Sequence, residues 1–116
     1  MKLIVFILFL NPIMAMQDLT TYKWNNRLIA VSEVNTQAID YFNNLKTKNS
    51  NSWNERKLKL VTLPSDQFSN TYDKNTFAAL IGLDGGTKAV YKTPPDMKMI
   101  FQTIDAMPMR QQELRK

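Results

Sequence analysis

Three successive patterns between residues 27 and 63 restrict the possible folds of this chain more than any other feature. Residues 27–34 (RLIAVSEV) form an apolar run with β-branched side chains, which is typical of a buried strand. Apolar side chains then recur at helical spacing in residues 36–48 (TQAIDYFNNLKTK), which predicts an amphipathic helix. Residues 56–63 (RKLKLVTL) predict a second strand. Because a helix connects the two strands, we expect them to pair in parallel through a right-handed crossover.

The second half of the chain contains a hairpin pattern. Residues 76–83 (TFAALIGL) and residues 87–93 (TKAVYKT) predict two further strands. Asp84, Gly85 and Gly86 lie between them, and glycine reaches the positive φ angles that tight turns require. We therefore expect the third and fourth strands to be antiparallel neighbours.

The connecting segments have weaker patterns. Residues 49–55 (NSNSWNE) are rich in turn-forming residues, which predicts a loop with Trp53 packed over the end of the preceding helix. Residues 65–75 (SDQFSNTYDKN) are polar but place two aromatic side chains at helical spacing, which allows one short helix. Residues 94–96 (PPD) predict the start of a last helix, because proline and aspartate are favourable there.

The order of these elements defines the expected fold and domain organisation. A β-α-β half followed by a β-β-α half predicts an α/β fold, a single thioredoxin-like domain whose mixed four-stranded sheet has flanking helices (β-α-β-α-β-β-α). A ferredoxin-like fold is the main competitor, but it needs a hairpin where the sequence has a longer gap. We expect residues 17–26 (QDLTTYKWNN) to be a polar lead-in that packs Trp24 against the domain, and residues 27–116 to be the domain itself.

The first residues have the pattern of a secretory signal peptide. Lys2 supplies a positive charge, residues 3–10 (LIVFILFL) are wholly apolar, and Ala15 is a small residue near the expected cleavage point. A membrane anchor is the alternative, but spanning a bilayer takes roughly 20 apolar residues and this run is shorter. We therefore expect residues 1–16 to be a signal peptide, and the mature protein to be periplasmic or extracellular without a transmembrane segment.

The composition excludes several kinds of chemistry. The chain has no Cys and no His, which removes thiol nucleophiles, Cys-based metal sites and the most common general base. We predict no catalytic residue, no cofactor and no metal site. The formal charge of +5 is compatible with an anionic polymer as partner. However, the basic residues are spread along the chain, so solubility is the simpler interpretation and no specific nucleic-acid partner is expected.

Two blocks near the C-terminus have a family resemblance, residues 80–91 (LIGLDGGTKAVY) and residues 101–116 (FQTIDAMPMRQQELRK). They resemble the family called domain of unknown function 4174, or P-DUDES, which is similar to domains of animal extracellular proteins of the sushi-repeat and coiled-coil-domain type. The resemblance covers residues 24–116 and implies a thioredoxin- or peroxiredoxin-like fold and export, without a settled activity. The residues that define it are Gly82, Asp84, Gly85, Gly86, Lys88, Ile104, Asp105, Met107, Pro108, Met109, Arg110 and Glu113.

Some positions depart from that family pattern. Members often have a basic residue where this chain has Leu83 and another near Val90, so an anion site built on those positions would be weakened here. Residues 35–38 (NTQA) stand where thioredoxin-type catalysis needs Cys-x-x-Cys, and Thr76 stands where redox relatives have a proline. The resemblance therefore implies the fold without thiol–disulfide or peroxidase chemistry.

The segment IDAMPMR allows a structural and a functional interpretation. Pro108 cannot continue a helix and suits the first position of a new helical turn. Met107 and Met109 would then cover the core, and Asp105 would pair with Arg110 across the break. In the functional interpretation, the methionines and the arginine form an exposed patch for a partner, because flexible methionine surfaces adapt to varied partners.

The turn at Asp84, Gly85, Gly86 and Lys88 also has two interpretations. Glycine loops cradle phosphate when their amides point into a helix start, whereas this loop joins two strands. That context favours a hairpin turn over an anion-binding nest. Asp84 is interpreted in the same way as Asp96 and Asp105, which fit turn and cap positions better than a catalytic carboxylate pair or a cation site.

Three hypotheses of function follow. The first is an exported, non-catalytic binding or interaction domain whose partner is an unknown protein or an anionic polymer. The second is a degenerate oxidoreductase relative in oxidative-stress defence, acting through its methionines or a partner's thiols. The third is adhesion to an anionic polymer through scattered lysines.

Overall fold

The computed structural model describes residues 18–115. The predicted signal peptide, residues 1–16, therefore lies outside the described residues. The elements in chain order are β1 (Arg27–Ser32), α1 (Thr36–Lys48), α2 (Ser50–Glu55), β2 (Leu58–Leu63), α3 (Ser65–Thr71), β3 (Ala78–Ile81), β4 (Thr87–Tyr91), α4 (Met97–Asp105) and α5 (Pro108–Leu114).

The sheet has four strands in the order β2-β1-β3-β4. β1 and β2 are parallel, with Arg27 opposite Leu58, because α1 and α2 carry the chain back to the same end of the sheet. β3 is antiparallel to both β1 and β4. This mixed sheet with flanking helices confirms the predicted α/β fold and is compatible with a single thioredoxin-like domain.

Alternation along β1 distributes the core between the two faces of the sheet, since successive strand residues point to opposite sides. Ile29 and Val31 pack into a core with residues of α1, α2 and α4. Leu28 and Ala30 pack on the other face, with Phe68 of α3. The helices therefore cover both faces, and the central strand β1 is buried from Arg27 to Val31.

Local signals explain most helix starts. Asn35 caps α1, where its side-chain oxygen accepts from the backbone N–H of Ala38 at 3.0 Å. Asp96 caps α4 in the same way, accepting from the backbone N–H of Met99 at 2.7 Å. The bounds of α1 agree with the prediction, whereas β1 ends at Ser32 and leaves Val34 exposed.

Residues 50–55 of the predicted loop form a helix, so that prediction is wrong. α2 begins directly after α1, with only Asn49 between them, and Trp53 on α2 is completely buried in the core. The turn-rich composition hid this helix because a single apolar side chain gives no periodicity. The predicted packing role of Trp53 is confirmed.

The expected packing of Trp24 is also wrong. Trp24 is 57% exposed. The segment before β1 packs on the core through Leu19 and Tyr22 instead, and the Trp24 backbone N–H donates to the carbonyl of Leu83 at 2.6 Å. Within residues 18–115, no helix combines the length and apolar character that crossing a bilayer demands.

Candidate ligand pocket

The hairpin between β3 and β4 is fixed by one carboxylate. Asp84 accepts a hydrogen bond from the backbone N–H of Gly86 at 2.9 Å and another from Lys88 Nζ at 3.0 Å. The Gly82 N–H donates to the carbonyl of Gly86 at 2.9 Å, and Gly85 has a φ of 84°, a backbone conformation that favours glycine. The structure thus makes this segment a hairpin turn, as predicted, with the Gly86 amide already bonded to Asp84.

The C-terminal helix breaks where the proline predicted it. α4 ends at Asp105, and Pro108 is at the start of α5, where its missing N–H costs nothing. Met107 is half-buried and packs against the core, whereas Met109 is 37% exposed. Asp105 accepts from Arg110 Nε at 3.1 Å, so the predicted pair across the break forms.

The hairpin and the break meet at one pocket of about 320 Å³. Leu83, Asp84 and Lys88 line it from the hairpin side, and the segment 107–109 lines it from the other side. Arg27, the first residue of β1, completes the lining. The two blocks of the family resemblance, which are separate in sequence, therefore border the same cavity.

A cluster of ionised side chains, which we call the arginine cluster, lies next to this pocket. Its members are Arg27, Glu55, Arg56, Lys57, Asp105, Arg110 and Glu113. Arg110 is 3% exposed and donates to Glu55 at 2.6 Å and to Glu113 at 3.2 Å, besides its bond to Asp105. Arg56 donates to both oxygens of Asp105, at 3.0 and 2.9 Å. Such two-pronged arginine–carboxylate pairs are the stronger kind of ionic hydrogen bond.

The cluster lowers the pKa values of its central carboxyl groups. Hydrogen bonds from Arg56, together with those from Arg110, outweigh partial burial and hold the pKa of Asp105 below its usual value. Burial raises the pKa of Glu113, but hydrogen bonds from Arg27 and Arg110 outweigh that effect and leave it lowered. Both groups are therefore ionised at neutral pH, and their charges hold the arginines in place.

Arg27 connects the cluster to the pocket. It is fully buried, and its terminal nitrogens donate to the backbone carbonyl of Arg56 at 3.0 Å and to the two Glu113 oxygens at 3.4 Å each. Its Nε, by contrast, is buried without a hydrogen-bond partner among residues 18–115. Buried polar groups are nearly always bonded, so an unpaired N–H in a residue that lines a cavity requires an explanation.

Sequence reasoning identified the hairpin and the break but missed Arg27, Arg56 and Glu55. The available signal was a basic residue that opens each of two strand patterns, which is unusual for positions expected to be buried. Asp96 is a helix cap, as predicted for it.

The family departures can now be located. Leu83, where the resemblance implies a basic residue, is 5% exposed and lines the pocket, so it gives the cavity an apolar wall. Val90 is exposed on β4. At the position of a redox pair, Asn35 is a helix cap, and Thr76 is buried with a hydroxyl that lacks a partner among the described residues.

The fold places lysines that are spread along the sequence on separate parts of the surface. Lys46, Lys57 and Lys59 border a second, polar depression of about 520 Å³ beside β2. Lys92 pairs with Asp73 at 3.1 Å on another part of the surface, where both side chains are more than half exposed. The lysines beside β2 and Lys92 therefore do not belong to one continuous basic surface.

The sheet order and the helices on both faces define an α/β domain that is compatible with a thioredoxin-like fold, with a small cavity between its hairpin and its C-terminal helices. A sequence model of the family described as "Domain of unknown function (DUF4174)" matches residues 65–113, so this part of the chain is similar to that family. The matched stretch contains both blocks that predicted the resemblance. No curated protein and no solved structure matches the chain.

Proposed function

We propose that the chain is an exported, non-catalytic binding domain, and that the pocket between the hairpin and the helix break is its binding site. One observation supports this most directly: residues of both family blocks line a single cavity of about 320 Å³. Small-molecule pockets have volumes of roughly 300–1,000 Å³, so this cavity fits a small ligand or one side chain of a partner.

The non-catalytic part of the proposal is supported by the chemistry of the side chains. The sequence contains neither Cys nor His. A general acid or base works best with a pKa near the operating pH, whereas the pKa values of Asp84, Asp105 and Glu113 are all lowered. These carboxylates are committed to hydrogen bonds with the hairpin and with arginines.

Export is supported by the signal pattern of residues 1–16. Intact-mass measurement of the protein recovered after expression tests it. We expect a mature N-terminus close to Ala15 and recovery outside the cytoplasm. A protein that keeps Met1 and remains in the cytoplasm would contradict export, without affecting the proposed pocket.

The binding site is tested by amide NMR of the purified, isotope-labelled protein with three probes of equal chain length: octanol, octylamine and octanoate. If the proposal is correct, at least one probe shifts resonances of Leu83, Lys88 and Met109, and these shifts saturate. Absence of pocket shifts with all three probes would overturn the proposal.

Adhesion to an anionic polymer is the second candidate, favoured by the basic depression at Lys46, Lys57 and Lys59. Titration with dextran sulfate distinguishes it. Shifts at these lysines that weaken as salt is raised would support adhesion, because binding of a polyanion by lysines depends on salt. Shifts that do not change with salt would count against it.

A further inference from the structure

We infer that the ligand of this pocket is a small carboxylate with an apolar chain, whose carboxylate accepts from Arg27 and whose chain lies against Leu83, Met107 and Met109. The inference rests on the proposed function and specifies its ligand. It is argued from the unpaired nitrogen of Arg27, from the charge balance around it and from the apolar lining.

The unpaired nitrogen indicates a hydrogen-bond acceptor in the ligand. Arg27 is fully buried and lines the cavity, and its Nε has no partner among residues 18–115. Its two bonds to Glu113 are long, at 3.4 Å each, compared with the usual 2.7–2.9 Å or so for charged pairs. An acceptor in the pocket would satisfy the Nε, which no described protein group does.

The charge balance indicates that this acceptor is negative. The arginine cluster contains the cations Arg27, Arg56, Lys57 and Arg110 against the anions Glu55, Asp105 and Glu113, so one positive charge is in excess. At the other side of the pocket, Lys88 and Asp84 neutralise each other at 3.0 Å. A single negative charge therefore complements the site, and a carboxylate supplies one negative charge, whereas a phosphate carries more than the one positive charge in excess.

The rest of the lining indicates an apolar chain. Leu83 is buried, and Met107, Pro108 and Met109 supply the opposite wall. Methionine side chains are flexible and polarizable, so they adapt to an unbranched chain. Because Lys88 of the hairpin is already paired with Asp84, Arg27 of β1 would bind the anion.

The same three NMR probes test the inference, because they differ only in the head group. We expect octanoate to bind about tenfold more tightly than octanol, which corresponds to about 1.4 kcal/mol, and octylamine to bind most weakly. The Arg27 Nε–H resonance should shift with octanoate. Acetate, which has the charge without the chain, should bind much more weakly than octanoate.

Two surface substitutions provide matched variants. Met109 and Met99 are both exposed, at 37% and 50%, but only Met109 lines the pocket. Met109→Glu places a negative charge at the cavity and should weaken octanoate binding about tenfold or more. Met109→Gln is neutral and of similar length, so it should lose less octanoate affinity than Met109→Glu does. Met99→Glu adds the same charge away from the pocket, and we expect it to bind octanoate nearly as the unmodified protein does.

The outcomes distinguish failure of the carboxylate inference from failure of the proposed binding site. If octanol binds as tightly as octanoate at the pocket, or if Met109→Glu leaves octanoate binding unchanged, the carboxylate inference is wrong while the binding site remains. If octylamine binds most tightly, the inference is also wrong, because the site then prefers a cation. If no probe shifts pocket resonances, both the inference and the proposed function fail.

Discussion

The guanidinium of Arg110 donates to the Asp105 carboxylate at 3.1 Å, across the break that Pro108 makes between α4 and α5. The same arginine donates to Glu113, three residues later on α5, at 3.2 Å. Arg56, which precedes β2, approaches Asp105 from another part of the chain at 2.9 Å. The angle between the two helices is therefore set by ionic hydrogen bonds as well as by apolar packing.

Removing the central carboxylate should destabilise the protein. In Asp105→Asn, Arg56 and Arg110 lose the charged acceptor that both share. We expect the free energy of unfolding to fall by about 1–3 kcal/mol, measured by urea denaturation. The matched control is Asp73→Asn, which breaks a pair with Lys92 in which both side chains are 56% exposed.

The control should cost much less stability than Asp105→Asn does, because exposed ion pairs contribute little. Equal losses in the two variants would show that the Arg110–Asp105 contact is no more important than a surface pair.

Acid should destabilise the protein through the same carboxylates. The folded-state pKa values of Asp105 and Glu113 are lowered, so each group binds a proton less readily when the chain is folded. Their stabilisation is fully present above the unfolded-state values of about 4 and is lost as the pH falls through the lowered folded-state values. We expect the free energy of unfolding to decrease steadily on acidification below about pH 4.

Denaturation at a series of pH values measures this slope, with Asp105→Asn as the comparison. The variant should show a shallower loss of stability, since one of the responsible groups is gone. An unchanged slope would mean that other carboxylates cause the acid sensitivity.

Replacing each of the two tryptophans with alanine should change the free energy of unfolding by very different amounts. Trp53 is completely buried, whereas Trp24 is 57% exposed. Trp53→Ala should cost about 3–5 kcal/mol or prevent folding, and Trp24→Ala should change stability by less than about 0.5 kcal/mol. In fluorescence, the Trp24→Ala protein should retain a blue-shifted emission from Trp53 that moves to the red on unfolding. A large loss of stability in Trp24→Ala would restore the packing role that the sequence suggested.

Mild oxidation should rank the methionines by exposure. Met99 and Met109 are exposed, whereas Met107 packs against the core. We expect sulfoxide at Met99 and Met109 before Met107 under dilute peroxide, as measured by peptide mass spectrometry. Oxidation of Met107 at the same rate as Met99 and Met109 would indicate that the helix break opens readily in solution. Bound octanoate should slow the oxidation of Met109 and leave that of Met99 unchanged.

Much of the fold was predictable because its elements have local patterns. α1 has apolar residues at regular helical spacing and a cap at Asn35, and the hairpin has Gly85, whose φ of 84° suits few other residues. α2 was not predictable in this way. Its helical state depends on the burial of Trp53 against α1 and the sheet, which is a tertiary effect.

The pocket was predictable only in part. The family resemblance identified the hairpin and the residues around Pro108, but their meeting depends on how α4 and α5 pack beside β3 and β4. Arg27 was hidden because it opens an apolar strand pattern, where a charged residue is normally expected at the exposed end. The structure instead buries it fully, with Glu113 as its partner.

The contact between Arg27 and Glu113 joins the first strand to the last helix at 3.4 Å. The first residue of β1 and the last turn of α5 are consequently neighbours in space. A short peptide could connect them, so that a circular permutant with new ends in an exposed loop keeps every strand pairing. The same proximity suits insertion of the domain into a loop of a host protein. The two ends of the interrupted host loop would then stay close together.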